Sequence, residues 1–168
     1  MSWNGDDYKV IARPESFENM WFSMSEDDID SFKAKSRGGQ IDSVAKSFQE
    51  CIRLEACDES GFGFCVTCGS RHHYKKANAG HFIPRLTRAL VFNEKNVHFQ
   101  CVGCNKFKSG NIGAYRVFMV NEYGEELVEE FELIHKKKII VKYTMEELAA
   151  LRSQYRRRAR EARKKLRK

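Results

Sequence analysis

Apolar and polar positions follow two rhythms along this chain. From Asp42 to about Ala56, Val44, Phe48, Cys51, Ile52 and Glu55 fall roughly on one face, which predicts a helix capped by Asp42. A longer stripe runs Leu148, Leu151, Tyr155, Ala159, Ala162, Leu166. Its five steps cover 18 residues, 3.6 per step, the period of a straight helix packed on a body and not the 3.5 of a coiled-coil seam. Thr144-Met145-Glu146-Glu147 supplies a capping box for its first turn. Between the two helices the pattern turns strand-like. Phe62 to Val66 and Ala79 to Ile83 read as strands, with His72 and His73 in the loop between, and Asn96 to Gln100 reads as a short extended piece. A helix opens at Cys101 and is broken at Gly110-Asn111. Another runs from Ala114 to Val120 and resumes after Gly124 through Phe131, and Ile139 to Tyr143 reads as a strand. Residues 1–40 alternate aromatics with acids and end at the breaker Arg37-Gly38-Gly39, an acidic arm with one short helix capped by Ser25. The organisation expected is therefore an arm over 1–40, a central domain over 41–135, and a strand with a basic helix over 136–168.

Charge adds a polarity that the overall +7 conceals. Residues 1–60 hold 13 acids and 7 bases, net −6, so the rest of the chain carries net +13. A field of that sign and size suits a polyanion, because Lys and Arg that neutralise phosphates release counterions. The alternative is a solvated basic surface. The final helix shows both possibilities: residues 152–168 carry ten Lys or Arg and one Glu. Arg156, Arg157, Arg158 and Arg160 are the expected phosphate contacts there, and the Ala-rich end of the stripe is expected to order on the phosphate backbone. No apolar run reaches the roughly 20 residues that span a bilayer, and the acidic start is unlike a signal peptide. A cytoplasmic protein with no membrane partner is the expectation.

The cysteines carry the chemistry. Six could form three disulfides, but without an export signal the pairs Cys65-Val-Thr-Cys68 and Cys101-Val-Gly-Cys104 read as reduced ligands of one structural zinc. Cys51 and Cys57 lie outside the pairs and read as buried thiols. The 32 residues between the pairs exceed a simple zinc ribbon, so something is inserted, and the insertion contains His81. Hydrolysis of a phosphodiester needs a base of near-neutral pKa and a cation beside the leaving oxygen. A neutral imidazole meets the first need, and a hard divalent ion on oxygen ligands meets the second.

Cys65 to Gly69, Ala79-Gly80-His81, Asn96 and Cys104-Asn105-x-x-Lys108 resemble the zinc-stabilised HNH, or His-Me finger, endonucleases. The strings Ala79 to Phe82, Phe92 to His98, Gln100 to Asn105, Lys108 to Asn111 and Tyr115 to Val117 resemble more narrowly the NinG/Rap recombination nucleases of lambdoid phages, over roughly residues 64–132. The resemblance implies a ββα-metal core and an endonuclease selective for branched DNA such as Holliday junctions and D-loops. By position it makes His81 the general base, Asn96 the residue that fixes the hairpin and orients the histidine, and Asn105 a ligand of a catalytic Mg2+ or Mn2+ distinct from the zinc. One departure stands out: many relatives place a second ligand immediately before the base, and here that position is Gly80. Either the ion has one protein ligand, or Asn78 or His98 completes it.

A histidine beside glycine on a strand is ordinarily a packed or surface residue; between two zinc pairs, and followed by C-x2-C-N, His81 reads as catalytic. His98 reads equally as core or as a supporting partner, and His72, His73 and His135 as surface. Two or more of Arg85, Arg88, Lys106 and Lys108 are expected on the scissile or a neighbouring phosphate. The fold class expected is α+β. A metal-dependent endodeoxyribonuclease acting on branched DNA is the expected function, with a non-catalytic zinc-containing DNA-binding accessory protein as the alternative. A homodimer is expected because resolving a four-way junction takes two symmetric nicks. The apolar faces around Phe48 and Phe118 serve equally as contact surface or as core. The acidic arm either shields the basic surface or docks a recombination protein, and no residue decides which.

Overall fold

Ser36 and Thr144 set where the two longest helices begin. In the computed structural model, which describes residues 26–166, the Ser36 side chain accepts from the Gly39 amide, and the helix α2 spans Arg37–Glu55. Asp42, the expected cap, lies inside this helix, and its carboxylate is 3.7 Å from Arg85. The Gly-Gly breaker is absorbed into the first turn. Amides there have no partner inside the helix, so a hydroxyl cap offsets part of the poor helix propensity of glycine. Before it lies a short helix, α1 (Glu26–Lys33); its expected cap Ser25 and the aromatics Trp21 and Phe22 fall outside the described residues.

Four short strands follow: β1 (Phe62–Phe64), β2 (Arg71–His73), β3 (Ala77–His81) and β4 (Val97–Cys101). They form two antiparallel pairs, β1 with β2 and β3 with β4, the latter in the register Ala77 to Cys101 and His81 to Val97. His72 and His73, expected in a loop, therefore lie on a strand. The alternation rule misses so short a strand because its identity comes from the backbone partner, Gly63 opposite His72. A π-helical turn (Gly103–Phe107) leads into α3 (Ile112–Tyr123) and α4 (Glu125–Lys136), and α5 (Met145–Lys165) closes the chain. The Thr144–Glu147 capping box forms as expected, with both reciprocal bonds present. Residues 139–143, expected as a strand, take no regular secondary structure. Tyr143 is instead packed against Phe92, and its hydroxyl donates to the Arg88 carbonyl. The β-branched run fits a strand, but it pairs with none of the four described strands.

Two apolar cores hold these elements. In the first, α5 lies along α2, and Phe48, fully buried, meets Tyr155 at 4.8 Å and Phe92 at 6.0 Å between ring centres. Phe48 is thus monomer core and offers no contact surface. Ala159 and Ala162 are buried in this same core, so the Ala-rich end of the stripe is ordered by the protein's own helix and needs no phosphate backbone. The small side chains let the two helices approach closely, and Arg158 and Arg163 reach across to Glu55, Glu94 and Glu50. The second core joins the loop after β3 to α3 and α4, through Phe82, Ile83, Leu90, Tyr115, Met119, Val128, Phe131 and Ile134. The architecture is α+β. Among the described residues no helix is long and apolar enough to cross a membrane.

Candidate metal centre and the polar cavity beside it

The turn after β1 closes on itself: the Cys65 amide donates to the Ser70 carbonyl and the Gly69 amide to the Cys65 carbonyl. Gly69 takes φ +70° there, a left-handed conformation that a β-carbon would strain. The turn is held against β4 by Val66, whose amide donates to the Phe99 carbonyl. These bonds bring Cys65 and Cys68 to Cys101 and Cys104, with all four sulfurs within 4.8 Å of one another. The Cys68 and Cys101 sulfurs are 3.9 Å apart. That matches the edge of about 3.8 Å expected for a tetrahedron whose sulfurs lie ~2.3 Å from a central zinc. Three of the four thiols are buried. This four-cysteine cluster can hold a metal such as zinc, and with four thiolates the ion would have no open position for water. Cys51 is a buried thiol as expected, pushed up to about 12 chiefly by burial, whereas Cys57, expected buried as well, is only half-buried.

From the cluster the chain runs through the π-helical turn to Asn105. Asn105, His81, Asn78, Ala79 and Arg85 line one cavity of about 450 Å3, together with Gln49 and Arg53 from α2. His81 sits at the end of β3 and its Nε2 is 3.2 Å from the Val91 carbonyl. A carbonyl only accepts, so Nε2 carries the proton and Nδ1 keeps its lone pair. Burial, with a smaller contribution from the Arg85 charge, brings the imidazole down to about 4, so it is neutral at physiological pH. Asn96 is fully buried and acts as a clamp. Its Oδ1 accepts from the Ile83 amide at 2.7 Å, and its Nδ2 lies 3.0 Å from both the Ile83 and Leu90 carbonyls. It ties together the ends of the loop that delivers the Val91 carbonyl to His81.

Position 80 has a spatial reason to be glycine. A β-carbon there would lie 2.1 Å from Gln100 Oε1 and 3.1 Å from Gln100 Cβ. Gln100 is itself fully buried and donates to the Gly110 carbonyl at 2.6 Å. A ligand side chain at position 80 has no room. Asn78, one of the two candidates to replace it, lines the cavity, and the carboxamide end assigned as Nδ2 is buried without a partner. The other candidate, His98, does not line this cavity; both of its ring nitrogens face tyrosine hydroxyls.

The expected phosphate-binding cations separate. Arg85 lines the cavity, whereas Arg88 lines another hollow with Leu86, His135, Lys136 and Lys138. Lys106 and Lys108 are exposed on and just after the π-helical turn. On α5, Arg156, Arg157 and Arg160 are exposed, but Arg158 is held by Glu55 and Glu94. Gln49 and Arg53 are not singled out by any sequence motif. Arg53 donates to the Tyr74 and Ala77 carbonyls, at 3.3 Å each, where the chain enters β3. The spacing of Gln49 and Arg53, one helical turn, is the available signal, and nothing in it points to a hairpin so distant in sequence.

Comparison with known proteins gives the chain a family. The sequence model described as "NinG: Bacteriophage Lambda NinG protein" matches residues 25–165. A "Protein ninG" of Escherichia phage lambda is 40% identical over 94 residues, 54% of this chain and 43% of that protein. That of Salmonella phage P22 is 39% identical over 94 residues, with the same coverage of both chains. The aligned part is thus less than half the length of these relatives. No solved structure matches the chain. With its family model covering the four cysteines, the β3–β4 hairpin and all of the helices from α2 to α5, the chain belongs to the NinG family.

Proposed function

We propose that the chain is a metal-dependent DNA endonuclease of the HNH, or His-Me finger, type that cuts branched recombination intermediates. The observation that carries this reading is the state of His81: neutral, fixed as the Nε2–H tautomer by the Val91 carbonyl, and set in a polar cavity shared with Asn105. The β3–β4 hairpin followed by the turn bearing Asn105 supports a ββα-metal core. His81 Nδ1 takes the proton of the attacking water. Arg85 and Arg53 present positive charge to the phosphate. Asn96 is a positioning residue, acting on His81 through the loop it clamps.

The donor set suits a hard divalent ion. Asn105 and Asn78 offer amide oxygens, and the unpartnered end of Asn78 becomes an acceptor if the carboxamide is turned over. Held there, Mg2+ or Mn2+ would supply stabilisation of the charge that develops on the leaving 3′ oxygen. With zinc confined to four thiolates, the two metals have separate roles. A homodimer fits this reading, since each chain carries one His81 and a four-way junction needs two nicks.

The test is cleavage of matched four-way, forked and linear DNA with Mg2+, Mn2+ or EDTA, together with sedimentation of the free and junction-bound protein. Metal-dependent cutting that favours branched substrates is expected. Tight junction binding with no cutting under any metal would replace the nuclease by a binding accessory protein.

A further inference from the structure

Two large apolar side chains stand almost fully in solvent: Leu86, which edges the hollow of Arg88 and His135, is 89% exposed and Phe107 84%. Each follows closely on a residue that lines the cavity, Leu86 on Arg85 and Phe107 on Asn105. Neither is on loose backbone. The Thr87 amide donates to the Pro84 carbonyl at 2.9 Å across a tight turn, and the Thr87 hydroxyl pairs with His135 at 2.6 Å, so Leu86 is held out from a pinned loop. Phe107 ends the π-helical turn. There the Cys104 amide donates to Cys101 Sγ, the Lys108 amide to the Gly103 carbonyl, and the Gly110 amide to the Cys104 carbonyl. Phe107 is thus mounted on the cysteine cluster. Both side chains are flanked by cations, Arg85 and Arg88 around one, Lys106 and Lys108 around the other.

We propose that Phe107 and Leu86 are wedge residues that stack on bases exposed at a DNA branch point, and so give the nuclease its preference for branched DNA. This rests on the nuclease reading above. Cations alone bind any phosphate backbone and do not distinguish a junction from a duplex. What differs at a branch is that the stack is interrupted. A base face there is open to an aromatic or aliphatic side chain, whereas in a continuous duplex the same contact first requires neighbouring bases to unstack. A ring on a pinned backbone, with a lysine on either side of it in sequence, meets the base face without losing backbone freedom.

The test is equilibrium binding of the full chain to a four-way junction and to linear duplex of the same composition. Ca2+ replaces the catalytic ion, so that affinity is read without cutting. Phe107→Ala is expected to lose about tenfold in junction affinity, as base–aromatic stacking implies, with Leu86→Ala losing less. Duplex affinity and its salt dependence should stay unchanged, and Phe107→Tyr should bind like the parent. An unchanged junction-to-duplex ratio in Phe107→Ala overturns the proposal. So does an equal loss on both DNAs, or a shift from dimer to monomer on sedimentation, which would make this face a contact between copies. The reading as a nuclease fails separately, by absence of cutting with Mg2+ or Mn2+ while these affinities are still measured.

Discussion

The β3–β4 hairpin carries two half-buried histidines in different chemical situations. Burial brings both His81 and His98 down to about 4. Tyr115 donates its one hydroxyl proton to the Gly80 carbonyl at 2.8 Å, so it accepts from His98 Nδ1 at 3.0 Å. That leaves His98 Nε2 to accept from the Tyr123 hydroxyl at 2.8 Å. Both ring nitrogens of His98 are thereby engaged. His81 uses only Nε2 and keeps a lone pair for a polar cavity. A low pKa makes an imidazole neutral; on the proposed reading, the uncommitted lone pair in the cavity that Asn105 also lines is what makes it a base. The two sides of one hairpin thus divide into a face that lines the polar cavity and a face tied up by two tyrosines.

The largest effect should come from the element both histidines depend on. Cys101 ends the strand that carries His98 and pairs with the one that carries His81. Cys101→Ser should leave unfolded or insoluble protein, since structural zinc contributes on the order of 10 kcal/mol to folding small domains. Elemental analysis should return one zinc per parent chain that mild EDTA leaves in place. A folded variant without zinc, seen by circular dichroism, would show that the cluster is dispensable.

Next in size is the contrast between the histidines themselves. His81→Ala should cut branched DNA about 10^2- to 10^4-fold more slowly with junction affinity nearly intact, because a general base acts in the transition state. His98→Phe should cut within about tenfold of the parent, while losing roughly 1–3 kcal/mol of stability for the hydrogen bonds it abandons. Equal catalytic losses would erase the distinction between the two faces. Asn105→Ala should match His81→Ala in rate but recover partly at high Mn2+, a rescue His81→Ala should lack.

Acid should weaken both faces alike. Each histidine has a folded pKa near 4 against an ordinary 6.5, so the unfolded chain binds the proton first as pH falls. Their contribution is complete above about pH 6.5 and is lost as pH falls towards 4. The steepest loss is about 1.4 kcal/mol per pH unit for each histidine. Thermal melts across this range should show the fall, and His98→Phe should make it shallower. The rate profile should have no acid limb near 6.5, because His81 is already neutral there.

The smallest effect tests a second division, on α5, between an arginine that bridges to other elements and arginines exposed on the outer face of the helix. Replacing Arg157 and Arg160 together by Gln should flatten the slope of log affinity against log salt by about 0.9 for each phosphate no longer neutralised, with little change in Tm. Arg158→Ala should instead lower stability by about 1–2 kcal/mol, since it leaves Glu55 and Glu94 without their partner. A slope that does not move would return this helix face to plain solvation.

The local features of the site were legible in the sequence. The two C-x2-C turns are short enough that spacing alone brings each pair of thiols together, and the Thr144–Glu147 box caps its own helix within one turn. His81, Asn96 and Asn105 are named by the resemblance and Arg85 by its closeness to His81, and the structure brings His81, Asn105 and Arg85 to one cavity. Cations further out were harder to sort. Arg85 and Arg88 look equivalent on the chain, yet only the first lines the cavity, because the turn at Pro84–Thr87 sends their side chains to different hollows.

What the sequence by itself determined is what depends on neighbours a few residues away: helix periods, caps, the cysteine turns and the acidic-to-basic polarity. Tertiary structure decided everything that needs a distant partner. It gave Arg158 to two glutamates and made His72 and His73 a strand by pairing them with β1. It also denied strand pairing to Ile139–Tyr143 and brought Gln49 and Arg53 from α2 to a cavity whose chemistry lies on the hairpin and the turn beyond it. The physical reason is the same in each case. Hydrogen bonds and charges are satisfied by whichever partner packing brings within about 3 Å, and packing is a property of the whole chain.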